Sequence, residues 1–222
     1  MTSRLLEIYS RIPYCRAFAD VGCDHGYIAK AMLEGGKCER AVVSDVSAKC
    51  LMKAEKLLYG YISQGKAVSC VSDGFSNIPP VDCALIAGMG GEEIVKILDR
   101  APFLPEKLVL QPMKNCDKVR VCAVSKGYKI VSDYTFIADG GFYVIISLEK
   151  GEDSLSEEEK EFGRTNVEQR PEAFLMWAEK EAEKQRRFAM NERLSEQQKQ
   201  MFCNKAERLE RYVGNRRTDE DT

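Results

Sequence analysis

One histidine, His25, is all that the 222 residues contain. A single imidazole has no second ligand at zinc spacing, so no metal is expected. The nine cysteines never fall as Cys-x-x-Cys, and several lie in apolar runs, where a thiol behaves as a small hydrophobe in a reducing compartment. Charge of one sign is lacking too: the formal net charge of −2 excludes a uniformly basic coat for nucleic acid. No apolar run approaches the roughly 18–20 residues that cross a bilayer. Met1-Thr2-Ser3-Arg4 leads into an amphipathic segment rather than the apolar stretch of a secretory leader. A cytoplasmic protein with no membrane partner is the expectation.

What is present suffices for a packed core, with 44% hydrophobic residues, and it alternates. A short helix over 3–12 is followed by strands at 17–22, 40–45, 67–71, 82–87, 107–111, 128–137 and 141–148. Helices fall between them at 26–34, 47–64, 91–100 and 115–126. Strands separated by helices predict an α/β fold with right-handed parallel crossovers. The last two strands are joined only by Ala138-Asp139-Gly140-Gly141, a hairpin signal. A Rossmann-like, seven-stranded sheet ending in an antiparallel hairpin is therefore expected over residues 1–150, the arrangement of class I methyltransferases.

Beyond Gly151 the composition changes to a charged helical stretch. One apolar stripe runs through Phe174, Leu175, Trp177, Ala178, Ala182, Phe188 and Ala189. A second contains Leu194, Met201, Phe202, Ala206, Leu209 and Tyr212, with a turn at Asn191–Ser195 between them. The pattern predicts a helical hairpin, a coiled-coil arm, over 151–222 with a disordered polar tail from Asn215. Residues 164–217 hold 13 Lys and Arg against 9 Asp and Glu. Lys184, Arg186 and Arg187 are accordingly candidate contacts to a polyanion. A solvated helix face or a dimerisation surface explains the same charges, so a monomer or a weak dimer both fit.

The chemistry concentrates around Asp20-Val21-Gly22-Cys23-Asp24-His25-Gly26. An apolar strand breaks here into a glycine turn and enters a helix, and Asp45 closes the next strand. This is the nucleotide-binding half of an α/β fold. The turn is Gly-x-x-x-Gly, which offers little backbone nest for a pyrophosphate. Asp20 and Asp24 would repel phosphate and attract an ammonium group. S-adenosylmethionine, with a ribose, an amino-acid end and no phosphate, fits those requirements. Asp45 is placed to accept from the ribose hydroxyls, Val46 to face the adenine, and Asp73-Gly74 to meet its exocyclic amine. Each has a plainer reading, Asp45 as a helix cap and Asp73-Gly74 as a turn. His25 is read as a positioning residue near the methionine end.

Strand 4 ends in Gly88-Met89-Gly90-Gly91. Amino-directed adenine and cytosine methyltransferases carry an Asp/Asn-Pro-Pro-aromatic motif at this point, whereas this chain offers only backbone. Glycine there allows close approach of a flat ring, so Gly88 and Met89 join Asp20 and Asp24 as candidate catalytic positions. Gln111 and Asn115 are candidates for a base edge and Lys114 for a phosphate.

Asp-Val-Gly-Cys-Asp-His-Gly-Tyr, Ala-Gly-Met-Gly-Gly and Leu-Gln-Pro-Met, in that order, resemble the bacterial tRNA (adenine-22-N1)-methyltransferase family. The similarity covers residues 3–150, and the helical stretch after 160 resembles that family's C-terminal coiled coil. It implies S-adenosylmethionine-dependent methylation of an adenine N1 in the D-arm region of tRNA. By motif it places Asp20, Gly22, Asp24, His25, Gly26, Asp45, Asp73, Gly88, Met89 and Gly90 around the cofactor. Cys23 and Gly26 stand where the family commonly has Ser or Thr and Ala, and Met113 where it often has Asn. A small-molecule or protein methyltransferase, or a non-catalytic cofactor- or RNA-binding module, remains the alternative.

Overall fold

The computed structural model describes residues 1–214; the expected tail from Asn215 lies outside them. The chain forms two compact units, Met1–Arg164 and Thr165 onward. The change in composition at 151 therefore precedes the structural division, and residues 151–164 belong to the first unit.

The first unit opens with α1 (Ser3–Arg11), capped by the Thr2 side chain. It continues through β1 (Cys15–Val21), α2 (Tyr27–Glu34), β2 (Cys38–Asp45), α3 (Ala48–Ser63), β3 (Ala67–Val71), β4 (Cys83–Met89) and α4 (Gly91–Arg100). It then runs through β5 (Lys107–Pro112), α5 (Cys116–Ser125), β6 (Tyr128–Ala138), β7 (Gly141–Lys150) and α6 (Glu157–Phe162). The seven strands lie in the order β3-β2-β1-β4-β5-β7-β6. The first five are parallel, and β7 runs antiparallel to both β5 and β6. The expected sheet and terminal hairpin are both present. Order reverses between β1 and β4, so the ligand crevice of such a sheet opens at their carboxyl ends.

Strand alternation divides the core. Phe18, Val43, Leu85 and Val109 pack under α1, α2 and α3 through Ile8, Met32, Leu51 and Leu58. Ala19, Ala84, Ile86, Leu108 and Leu110 face the other way, onto Ile94, Ile97 and Leu98 of α4 and Val119 of α5. Near-continuous apolar strands are what a sheet covered on both faces requires.

α7 (Arg164–Gln169) begins on the last residue of the first unit and stops ahead of Pro171, and α8 (Glu172–Ala189) and α9 (Glu196–Gly214) follow in the second. The helical stretch is thus interrupted where Arg170 takes a left-handed φ of 48° before the proline. α8 and α9 are antiparallel: Phe174 meets Tyr212 edge-on, and Phe188 meets Phe202. Ala178, Ala182, Ala206 and Leu209 fill the seam. Met201, expected in the stripe, is 60% exposed. Among the described residues no helix is long and apolar enough to cross a membrane, and none of their side chains cluster as a metal site.

Candidate active site

Strand β1 ends one residue before Gly22, whose φ of +74° turns the chain out of the sheet. The amides of Gly22 and Cys23 donate to the Ser44 carbonyl at 2.8 and 3.0 Å, tying the turn to the end of β2. Gly26, with φ +71°, opens α2 and packs so closely that a Cβ would meet that of Ala54 at 3.1 Å. Asp20 faces the α2 side of the sheet and is buried. Burial pushes its carboxyl up to about 7, and the Ala29 N–H, in the first turn of α2, partly opposes this. Cys23 stands in the same field: burial, then the Asp20 and Asp45 carboxylates, push its thiol up. Asp20 and Asp45 thus both act on Cys23 in the glycine turn, Asp20 as a carboxyl that ionises near neutrality.

Asp24 is not the bare anion that the sequence suggests. It is exposed, and its carboxylate binds Lys53 of α3 at 3.2 Å and His25 Nδ1 at 2.7 Å. What burial would raise, these two partners lower, and the carboxyl is held below its usual range. His25 also stacks on Tyr27, with ring centroids 5.4 Å apart. His25 and Asp24 therefore form the outer wall of the turn.

Asp45 turns one oxygen, Oδ1, onto the Ser47 amide at 2.8 Å. Ser47, rather than Asp45, caps α3, through Cys50. Oδ2 of Asp45 has no partner among the described residues and stays available to hydroxyl donors. Val46 beside it is 68% exposed, a bare apolar surface at the rim of the crevice. Across β3, Asp73 is exposed and pairs with Arg100 of α4 at 3.6 Å. Gly74 follows with φ +57° and packs on Ile97.

β4 ends in a bulge. The register with β5 shifts between Ala87 and Met89, and Gly88, at φ +77°, stands exposed. Met89 lays its side chain over Gly22: a Cβ there would be 2.0 Å from Met89 Cε. The loop is fastened to the β5–α5 turn, Met113 N–H donating to Met89 O at 2.8 Å and Gly91 N–H to Lys114 O at 2.9 Å. Lys114 is exposed and runs across Gly90. Asn115 takes a left-handed φ of 54° without capping α5 by its side chain. Gln111 does not reach a base edge. It is fully buried, accepts from Arg4 at 3.4 Å and donates to Pro112 O at 3.2 Å. Arg4, carried into the site by α1, and Tyr143, beneath its guanidinium, carry no sequence signal, being more than a hundred residues from one another.

In the second unit the expected polyanion contacts are largely spoken for. Arg186 grips Glu210 through two bonds of 3.0 and 2.8 Å, and Lys184 pairs with Glu181 at 3.0 Å. These charges join and line the hairpin; Arg187 is exposed and makes no ion pair among the described residues.

The comparisons with known proteins agree with this geometry. A candidate tRNA methyltransferase of Mycoplasma pneumoniae is 31% identical over 140 residues, 61% of this chain and 64% of that protein. The match thus spans less than two thirds of that relative's length. Sp1610 of Streptococcus pneumoniae, a candidate tRNA (m1A22) methyltransferase, superposes with a TM-score of 0.89 at 25% identity, covering 96% of this chain and 99% of its own. In complex with S-adenosyl-L-methionine it superposes with a TM-score of 0.86 at 27% identity, covering 96% and 100%. A family model described as a methyltransferase domain matches residues 1–146, and with that match over most of the sheet unit the chain belongs to the methyltransferase domain family.

Proposed function

We propose that this protein transfers a methyl group from S-adenosylmethionine to N1 of an adenine in the D-arm region of a tRNA. The observation that carries the reading is the pairing of two surfaces at one sheet end. The Asp20 and Asp45 carboxyl groups at the glycine turn adjoin the exposed, side-chain-free bulge at Gly88.

The residues present fit the cofactor. Asp45 Oδ2 is available for ribose hydroxyls, Val46 for an adenine face, and the Asp20 field for the cationic methionine end. When bound, the cofactor supplies a methyl carbon made electrophilic by its sulfonium. N1 of adenine is unprotonated at neutral pH and its lone pair lies in the ring plane, so attack needs no general base. The backbone at Gly88–Gly90 lets a flat ring come close, and holding reactants in line is where most of the rate gain lies. The methylated ring is a cation until its amine loses a proton, and the Asp20 carboxylate stabilises that charge. An N1 within a base pair must first be exposed, at about a few kcal/mol. In the hairpin, Arg187 is the phosphate contact left by the ion pairs of Lys184 and Arg186.

Asp45→Ala should weaken S-adenosylmethionine binding by roughly 10- to 150-fold, the worth of a charge-assisted hydrogen bond of about 1.5–3 kcal/mol. Calorimetry with unchanged affinity would remove Asp45 from the ribose role. Asp20 gives a pH signature. Its folded carboxyl titrates at about 7 and its unfolded one at about 3.9. The native state holds the extra proton between these values, so this group's stabilisation is full below about pH 4 and lost as pH rises through about 7. Cofactor binding favours the ionised form and should strengthen about tenfold from about pH 6 to about pH 8. The part of that gain due to Asp20 should vanish in Asp20→Asn; an identical pH profile in the variant would exclude it.

The function itself is tested by nucleoside mass spectrometry of tRNA from cells lacking the gene. Loss of 1-methyladenosine is expected. An unchanged nucleoside profile would transfer the case to a small-molecule or protein acceptor.

A further inference from the structure

Two cations reach the backbone of Gly88 and Gly90, one at each glycine. Lys114 crosses Gly90, its Cε 3.3 Å from the place a Gly90 Cβ would take. At Gly88, two residues earlier, stands Arg4, in the first turn of α1. Its Nη1 stands 3.8 Å from the place of a Gly88 Cβ, and no other atom outside the neighbouring residues comes within 4 Å of that place.

Every partner of the Arg4 guanidinium is neutral. Nη1 donates to Gln111 Oε1 at 3.4 Å and lies 3.7 Å from Met113 Sδ, and the group sits 5.5 Å from the Tyr143 ring centroid. The acid on α1 and the one at its start are otherwise engaged. Asp139 accepts from the Ser3 hydroxyl at 2.7 Å and from the Ser3 and Arg4 backbone, fixing the start of α1 to the β6–β7 hairpin. Glu7 binds Arg11 at 3.1 Å and Tyr134. A guanidinium has five N–H donors in a rigid fork, and only those of Nη1 are engaged here, by Gln111 and by the Met113 sulfur. Arg4 makes no ion pair among the described residues; Lys114 makes none either, though its charge acts on the Glu92 carboxylate, which Lys118 binds directly.

An unneutralised fork fixed beside a surface meant for a flat ring suits a phosphate, which it can bind through two bonds. The ring itself is the wrong target, because methylation at N1 makes it a cation. A nucleotide within a chain has a phosphate on each side. Resting on the tRNA reading above, we propose that Arg4 and Lys114 straddle the target nucleotide and bind its two flanking phosphates, Arg4 anchoring the one on the Gly88 side. The N-terminal helix is then part of the RNA-binding surface of the sheet unit.

The test uses the full chain, a tRNA transcript and two variants. Arg4→Gln keeps a hydrogen-bonding stem without charge, and Arg4→Lys keeps the charge without the fork. Methylation rates and fluorescence anisotropy binding are measured over a range of salt. Arg4→Gln should raise the KM for tRNA about tenfold or more while the KM for S-adenosylmethionine stays within about twofold. Its plot of log affinity against log salt should be shallower by about 0.7–0.9, the loss of one phosphate contact. Arg4→Lys should keep the wild-type slope. An unchanged slope in Arg4→Gln, even with reduced activity, overturns the proposal and leaves Arg4 a packing partner of Gln111 and Tyr143. A wild-type chain that binds the transcript without methylating it contradicts the tRNA-methylation reading, while the slopes still decide on Arg4. A wild-type chain that does neither overturns both.

Discussion

Replacing Asp133 by alanine should destabilise the sheet unit by about 3–5 kcal/mol, because it leaves a buried guanidinium without its counter-charge. Arg120 and Asp133 are 1% and 0% exposed. Nε and Nη2 of Arg120 donate to the two carboxylate oxygens, and Nη1 donates to the Lys160 and Glu161 carbonyls at 3.1 Å each. The pair thus pins the end of α6 to α5 and β6. Gly163, at φ +94°, is packed against it so tightly that a Cβ would lie 2.4 Å from Asp133 Oδ1. In urea the unfolding midpoint should fall with the slope unchanged. Arg120→Met combined with Asp133→Leu should recover much of the loss, since paired apolar replacement removes both charges together. A loss below about 1 kcal/mol for Asp133→Ala would mean that water or another group reaches Arg120.

Gly91→Ala should lower turnover on the order of 100-fold while the chain stays folded, because about 1 Å of misplacement near reacting groups costs that much. The added carbon would stand 2.4 Å from Asn115 O and 2.6 Å from Lys114 O. Both are backbone atoms and cannot swing aside. Relief requires the β4–α4 loop to part from the β5–α5 turn, stretching the Gly91–Lys114 and Met113–Met89 hydrogen bonds that register the two. Gly22→Ala meets only the end of a flexible methionine there, so its cost comes from a φ of +74° rather than from backbone collision. Steady-state rates and circular dichroism of Gly91→Ala check the claim; near-normal turnover would show that the two loops move independently of the chemistry.

The sheet was legible because its signals are local. Apolar runs, glycine turns and the Asp139-Gly140 hairpin each stand in a few consecutive residues, and crossover handedness does the rest. The glycine turn and the place of Asp45 and Val46 at the end of β2 were legible for the same reason. What stayed hidden depends on partners far along the chain. Lys53 engages Asp24 from another helix, Arg4 reaches Gln111 across 107 positions, and Arg186 finds Glu210 only once the hairpin closes. Gln111 reads as a polar side chain at a strand end, yet the inward phase of β5 buries it completely. Charge counting over 164–217 likewise cannot separate cations that bind phosphate from cations that bind glutamates one helix away.

The central claim is most directly tested by incubating the purified full-length chain with an unmodified tRNA transcript and S-adenosylmethionine carrying an isotopically labelled methyl group. The RNA is then digested to nucleosides, which are separated by chromatography and identified by mass. Label in 1-methyladenosine, arising from a D-arm fragment, is the predicted result. No label in the RNA, or label in N6-methyladenosine or any other nucleoside, would contradict it.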